Sequence, residues 1–158
     1  MARLPVTDGV VTLREVRAGD AALLIAGRDD QFRRWMGAGS PDPRPTAIVE
    51  RAAEVVGWVD HDHDEIRTWL EPHECNVGYA VFAAHRGHGV AARAVRLLLG
   101  VVAEEGRYRT ATFLIDAQNE ASLRVARAVG ATEARRFDVD GRPQVLLTVP
   151  VGSTREDG

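Results

Sequence analysis

The stretch from Asn76 to Leu99 constrains the fold more than any other part of this chain. Val77 to Ala84 is a short apolar run of the length that suits a buried strand. It breaks at His85-Arg86-Gly87-His88-Gly89 and resumes in helical spacing, with Val90, Ala94, Leu97, Leu98 and Val101 on one side. A strand that turns through glycines directly into a helix aims several backbone N–H groups at one point. The helix dipole adds to their field, so the stretch predicts an anion or phosphate site. Gly87 and Gly89 permit backbone angles and close approach that a Cβ would forbid.

Of two familiar phosphate-loop patterns, one fails here and the other matches weakly. The P-loop needs Lys-Ser/Thr at the helix start, where this chain has Val90-Ala91. The dinucleotide pattern G-x-G-x-x-G finds Ala92 in its third place, and strand-like runs precede a loop that should follow the first strand. Arg86, Gly89 and Ala91 instead satisfy R/Q-x-x-G-x-G/A between a strand and an amphipathic helix. This resembles the acetyl-coenzyme A pyrophosphate loop of the GNAT N-acetyltransferases. The resemblance implies that Arg86, Gly87, His88, Gly89, Val90 and Ala91 hold the pyrophosphate, and that Val81, Phe82 and Ala83 carry the acyl-pantetheine arm.

The remainder of the chain accommodates that expectation. Its 158 residues suffice for one domain with a real core. A hydrophobic share of 45% with 27% charged residues marks a folded, water-soluble composition. A net charge of −3 argues against a dedicated nucleic-acid binder. Every basic residue is Arg and none is Lys, which reads as genome composition bias. The lone Cys75 excludes an internal disulfide and fits a reducing compartment. No leader-like or membrane-spanning run is present, so a cytoplasmic protein with no membrane partner is expected.

Along the chain, Val10 to Val16 reads as a first strand, and Asp20 as the cap of a helix through Ala26. Asp29 or Asp30 starts a second helix that Gly37 ends, and Gly39 to Pro45 is a stiff loop. Thr46–Glu50 and Val55–Val59 read as strands about a turn near Arg51-Ala52-Ala53. Asp60 to Glu65 alternates His with carboxylates, but no matching cluster elsewhere completes a metal site, so the segment is expected to be a solvated hairpin tip. Tyr108–Asp116 is another buried strand. Asn119 then caps a helix that Gly130 ends. Asp140-Gly141 joins two last strands. The spacing N-x-x-S from Asn119 to Ser122 resembles the second cofactor segment of the family, in which the Asn touches pantetheine.

The whole order, β-α-α-β-β-β-α-β-α-β-β, resembles that of a GNAT fold. It is a mixed α/β (α+β) architecture with a mostly antiparallel sheet. Residues 1–151 are expected to form the domain and 152–158 a frayed tail. The branch with N-x-x-S and the Gly78-Tyr79-Ala80-Val81 lead-in includes ribosomal-protein N-terminal acetyltransferases and bacterial relatives. The resemblance implies acetyl transfer from acetyl-CoA to a primary amine by direct attack, with no metal, in a family where homodimers are common. The acceptor would be a small molecule or a peptide N-terminus. A backbone amide of the Val81–Ala83 segment, assigned to Phe82, would bind the acetyl oxygen.

Ala126 stands where many relatives place a thiolate-protonating Tyr, which leaves Ser122 as the candidate donor to sulfur. Asp60, His73, Glu74 and Asp116 are candidate bases beside a water relay, and Cys75 reads as structural. The missing Tyr also sustains a rival, a non-catalytic acyl-CoA-binding or sensing module. A plain phosphate- or nucleotide-binding domain is a third reading.

Overall fold

The computed structural model describes residues 3–152. One eight-stranded sheet runs through it in the order β1-β2-β3-β4-β5-β6-β8-β7. Every neighbouring pair is antiparallel except β5 and β6. The strands are β1 (Val6–Thr7), β2 (Val11–Arg14), β3 (Ala47–Arg51), β4 (Glu54–Asp62), β5 (Glu74–Val81), β6 (Thr110–Asp116), β7 (Thr132–Val139) and β8 (Arg142–Pro150). Four helices flank them: α1 (Asp20–Ala26), α2 (Asp30–Met36), α3 (Val90–Glu105) and α4 (Glu120–Ala128).

The predicted order holds, with the short β1 added before the first expected strand. Alternation along the strands assigns the two faces. Ala47 and Val49 belong to the main core with Cys75, Val77 and the buried stripe of α3, formed by Val90, Ala94, Val95, Leu98 and Val102. Ile48, between them, is equally buried on the other face, where Leu24 of α1 and Phe32 of α2 also lose their exposure. The predicted apolar side of α3 is therefore its core side, with Leu97 only partly buried at its margin.

Two hairpins close on left-handed pairs. Asp140 and Gly141, at φ 51° and 77°, are the expected turn between β7 and β8. Ala52 and Ala53 adopt φ 50° and 63° between β3 and β4 without the Gly or Asn such a turn favours.

Two local expectations are corrected. Asp20 does not cap α1. It is buried, accepts from the Arg14 guanidinium at 2.8 and 3.0 Å, and leaves the cap position to Gly19. A guanidinium held inside the sheet needs that carboxylate more than the helix end does. Asp60, His61 and Asp62 are not a hairpin tip, because β4 continues through them, paired with Gly78, Val77 and Asn76 of β5. Asp60 accepts from the Thr46 N–H at 2.9 Å and hydroxyl at 3.0 Å, and burial pushes its carboxyl above the ordinary value. The tail beyond Gly152 lies outside the described residues.

Candidate active site

The site grows from one departure from regular pairing. β5 and β6 run parallel and bonded only through Glu74–Asn76 against Thr110–Thr112. Beyond Asn76, β5 keeps β4 as its partner while β6 keeps β8, so the two central strands separate toward their carboxyl ends. A cleft of about 530 Å³ opens there. Its walls are the end of β5, the loop into α3, the first turns of α4 and one side of α2.

Which β5 amides face that opening follows from the pairing. The Phe82 N–H donates to Val56 O at 2.8 Å, on the β4 side. It is committed to the sheet, and the expectation that it receives the acetyl oxygen is corrected. Phe82 lies outside the cleft altogether, its ring against Gly27, where a Cβ would overlap it. Amides alternate in direction along a strand, so those of Val81 and Tyr79 point to the open edge. The Ala80 carbonyl crowding Gly57 on β4 requires the same orientation, since within that planar trans peptide the N–H of Val81 points opposite to the carbonyl.

The predicted loop is in place. Gly87 and Gly89 have φ of 80° and 74°, and a Cβ at either would meet nothing within 4 Å. Their requirement is conformational rather than spatial. α3 starts at Val90 with Gly89 as its cap and no side-chain capping bond, and its first internal bond runs from Arg93 N to Gly89 O at 3.2 Å. Among the described residues, no protein acceptor meets the N–H groups of Gly87 through Ala92. A long helix with its first donors uncapped at the mouth of a cleft suits an anion.

Arg86 works differently from the expectation that it grips pyrophosphate. Its guanidinium forks onto Asp29 at 2.6 and 3.0 Å, and also donates to Gln31 Oε1 at 3.2 Å and Val81 O at 3.0 Å. Asp29 caps α2 at the same time, accepting from Phe32 N at 3.0 Å. The Arg86 guanidinium beside it, reinforced by that amide, holds the Asp29 carboxyl well below the usual carboxylate range. Arg86 thus braces the loop against α2.

Asn119 caps α4, accepting from Ser122 N at 3.3 Å, and both residues line the cleft. α4 ends as expected at Gly130, where N–H groups of Gly130 and Ala131 return to Arg127 O and Ala126 O at 3.0 Å each. Ala126 itself is fully buried in the core and does not reach the cleft. Val81, Arg86, Gly87, Gly89, Val90, Ala91, Asn119 and Ser122 converge on the cleft, whereas Phe82, Ala83 and His88 do not line it. The candidate bases Asp60, His73, Glu74 and Asp116 are also outside its walls. Cys75 has no exposure, and burial pushes its thiol up to about 12, as a structural thiol should be.

Sequence reasoning missed Tyr79 and α2 as parts of the site. The Tyr79 hydroxyl donates to Ser122 O at 3.2 Å, tying α4 to β5 across the opening, and burial pushes its pKa up to about 12. Phe32, Trp35 and Met36 bring one side of α2 to the cleft, and their i, i+3, i+4 spacing was the available signal.

Splayed central strands, an uncapped glycine turn and a helix between them define a fold that binds an extended, phosphate-bearing cofactor. Residues 11–132 match the family model of the acetyltransferase (GNAT) domain, and the chain belongs to the GNAT acetyltransferases, a family whose acetyl donor is acetyl-coenzyme A. No curated protein matches the chain significantly. Among solved structures, it is similar to a GNAT-family acetyltransferase from Bacillus anthracis, at 13% identity and TM-score 0.79, covering 93% of this chain and 98% of that one. An aminoglycoside acetyltransferase in complex with coenzyme A and kanamycin superposes at TM-score 0.76 and 16% identity, over 89% and 94% of the two chains. RimJ of Mycobacterium smegmatis, in complex with a coenzyme A disulfide, gives 0.71 and 20%, over 89% and 81%. At these identities the likeness speaks for the fold.

Proposed function

We propose that this acetyltransferase moves the acetyl group of acetyl-CoA to a primary amine by direct attack. The observation that carries the reading is the uncapped α3 N-terminus standing at the mouth of the β5–β6 opening. The N–H groups of Gly87 to Ala92 would hold the pyrophosphate, and the open-edge amides of Tyr79 and Val81 would receive the carbonyl groups of the acyl-pantetheine arm. When bound, the thioester supplies an activated acyl carbon. Tyr79 or Val81 stabilises the oxyanion through an amide already aimed at the opening, an effect worth about 2.7–4 kcal/mol for one donor in other enzymes.

Ser122 lies in the cleft wall and its hydroxyl has no hydrogen-bond partner among the described residues, so we assign it the leaving sulfur. No covalent acyl-enzyme is needed, and Cys75 is out of reach for one. Among the described residues no helix is long and apolar enough to cross a membrane. The lone, buried Cys75, with no second cysteine to pair with, fits a reducing compartment such as the cytoplasm.

Calorimetric titration with acetyl-CoA, against ATP as control, tests the cofactor. Thiol release over an amine panel then tests turnover. Micromolar binding of acetyl-CoA without turnover of any amine would favour the sensing module, and no binding would reject the reading.

A further inference from the structure

The α2 wall of the cleft, the side left over by the β5 amides, the α3 turn and Ser122, faces the acceptor and carries a charge pattern of its own. Among the described residues, no carboxylate lines the cleft. Four acids sit on bordering segments without lining it: Asp29, Asp30 and Asp116 each have an arginine partner, whereas Glu120, exposed at the start of α4, has no ion pair among the described residues. Asp29 is held by Arg86, and Asp116 lies 3.1 Å from Arg142. The surface that α2 turns to the cleft is apolar, built from Phe32, Trp35 and Met36. The guanidinium carbons of Arg34 and Arg142 stand 4.4 and 5.9 Å from the centroid of the Trp35 ring. Trp35 therefore presents an aromatic surface whose cation partners are already supplied by the protein.

A polyamine or aminoglycoside brings several ammonium groups that must be desolvated on binding and need acidic partners to repay the cost. This wall offers none. We propose that the acceptor is a monoamine borne on an apolar or aromatic body, packed on Trp35 and Met36, with no second positive charge. The inference rests on the acetyltransferase reading above. In the reaction, the amine nitrogen bonds to the thioester carbonyl carbon and the C–S bond breaks. Coenzyme A leaves as thiolate, and one proton passes from the amine to sulfur or water.

Steady-state thiol release with tryptamine, spermidine and kanamycin at fixed saturating acetyl-CoA tests it, after calorimetry has shown that acetyl-CoA binds. The expected result is a kcat/KM for tryptamine at least tenfold above those of spermidine and kanamycin. Trp35→Ala should lower the tryptamine value about tenfold, mainly through KM, with the acetyl-CoA Kd unchanged. Because Trp35 is partly buried, Met36→Glu supplies a second arm on an exposed side chain. A carboxylate placed there should raise the spermidine-to-tryptamine ratio about tenfold. Spermidine or kanamycin turned over as well as tryptamine overturns the proposal, as does an unchanged ratio in Met36→Glu. Failure of tryptamine to react while acetyl-CoA binds also overturns it. Failure of acetyl-CoA to bind would instead remove the functional reading beneath it.

Discussion

Gly57→Ala isolates the link between the sheet and the chemistry. Gly57 stands on β4 opposite Val81. A Cβ there would overlap the Ala80 carbonyl oxygen and would lie 3.1 Å from both the Ala80 carbonyl carbon and Val81 Cα. These are backbone atoms, so no rotamer change relieves the clash. Restoring ordinary contact requires β4 and β5 to separate by about 1 Å at this point. Overpacking of this kind costs about 1–3 kcal/mol, which would lower a urea midpoint by about 1 M at a slope near 2 kcal/mol per M. The same shift moves the open-edge amide of Val81, and misplacement by about 1 Å can cost on the order of 100-fold in turnover. Urea unfolding followed by circular dichroism, with kcat from thiol release on the folded fraction, measures both effects. If Gly57→Ala kept the wild-type midpoint within about 0.2 M and the wild-type kcat, the pairing and the amide direction deduced here would both be refuted.

Gly89→Val forces a β-branched residue to φ 74° at the α3 cap, so acetyl-CoA affinity should fall at least tenfold by calorimetry, with a stability loss of about 1–2 kcal/mol. Asp29→Asn keeps a helix cap but removes the ion pair with Arg86. The depressed Asp29 carboxyl lends its stability fully above the unfolded value of about 3.9, and that stability fades as pH drops toward its lower folded value. The wild-type advantage over Asp29→Asn, about 1 kcal/mol at pH 7, should therefore shrink in urea titrations at pH 3. Ser122→Ala should lower kcat about 10-fold or more without weakening acetyl-CoA binding, and unchanged kcat would leave the thiolate to depart unaided. Native Cys75 should stay unmodified by a thiol reagent at pH 8 and react once the protein is unfolded in urea.

The strand, the glycine turn and the helix of residues 76–99 were legible because each is a local property. An apolar run, two glycines and a 3.6-residue stripe act on adjacent residues, and the structure keeps all three, except that the strand ends at Val81 and Ala83–His85 turn as a short 3-10 helix. The end of β4 was not legible. Asp60-His61-Asp62 has the composition of an exposed turn, yet β5 pairs with all three residues, and its polar side chains find Thr46 and Glu105 as partners. The turn at Ala52-Ala53 was legible in place, but its left-handed geometry was not, since β3 and β4 impose it on residues that would not choose it.

Within the site, the errors share one physical origin. A motif states which residues are present, whereas function depends on which way a backbone N–H or a guanidinium points. Phe82 and Val81 are indistinguishable by sequence as oxyanion donors, because the choice depends on the edge of β5 that β4 occupies. The Phe82–Val56 bond decides that choice. Arg86 matches the motif wherever its side chain turns, and only the fold brings Asp29, far away in sequence, to take it. That pairing has a consequence for the whole cleft. Asp29 caps the helix that bears Trp35 and clamps the residue that opens the cofactor loop. The loop and the acceptor wall therefore share one carboxylate, and ordering the first also orders the second.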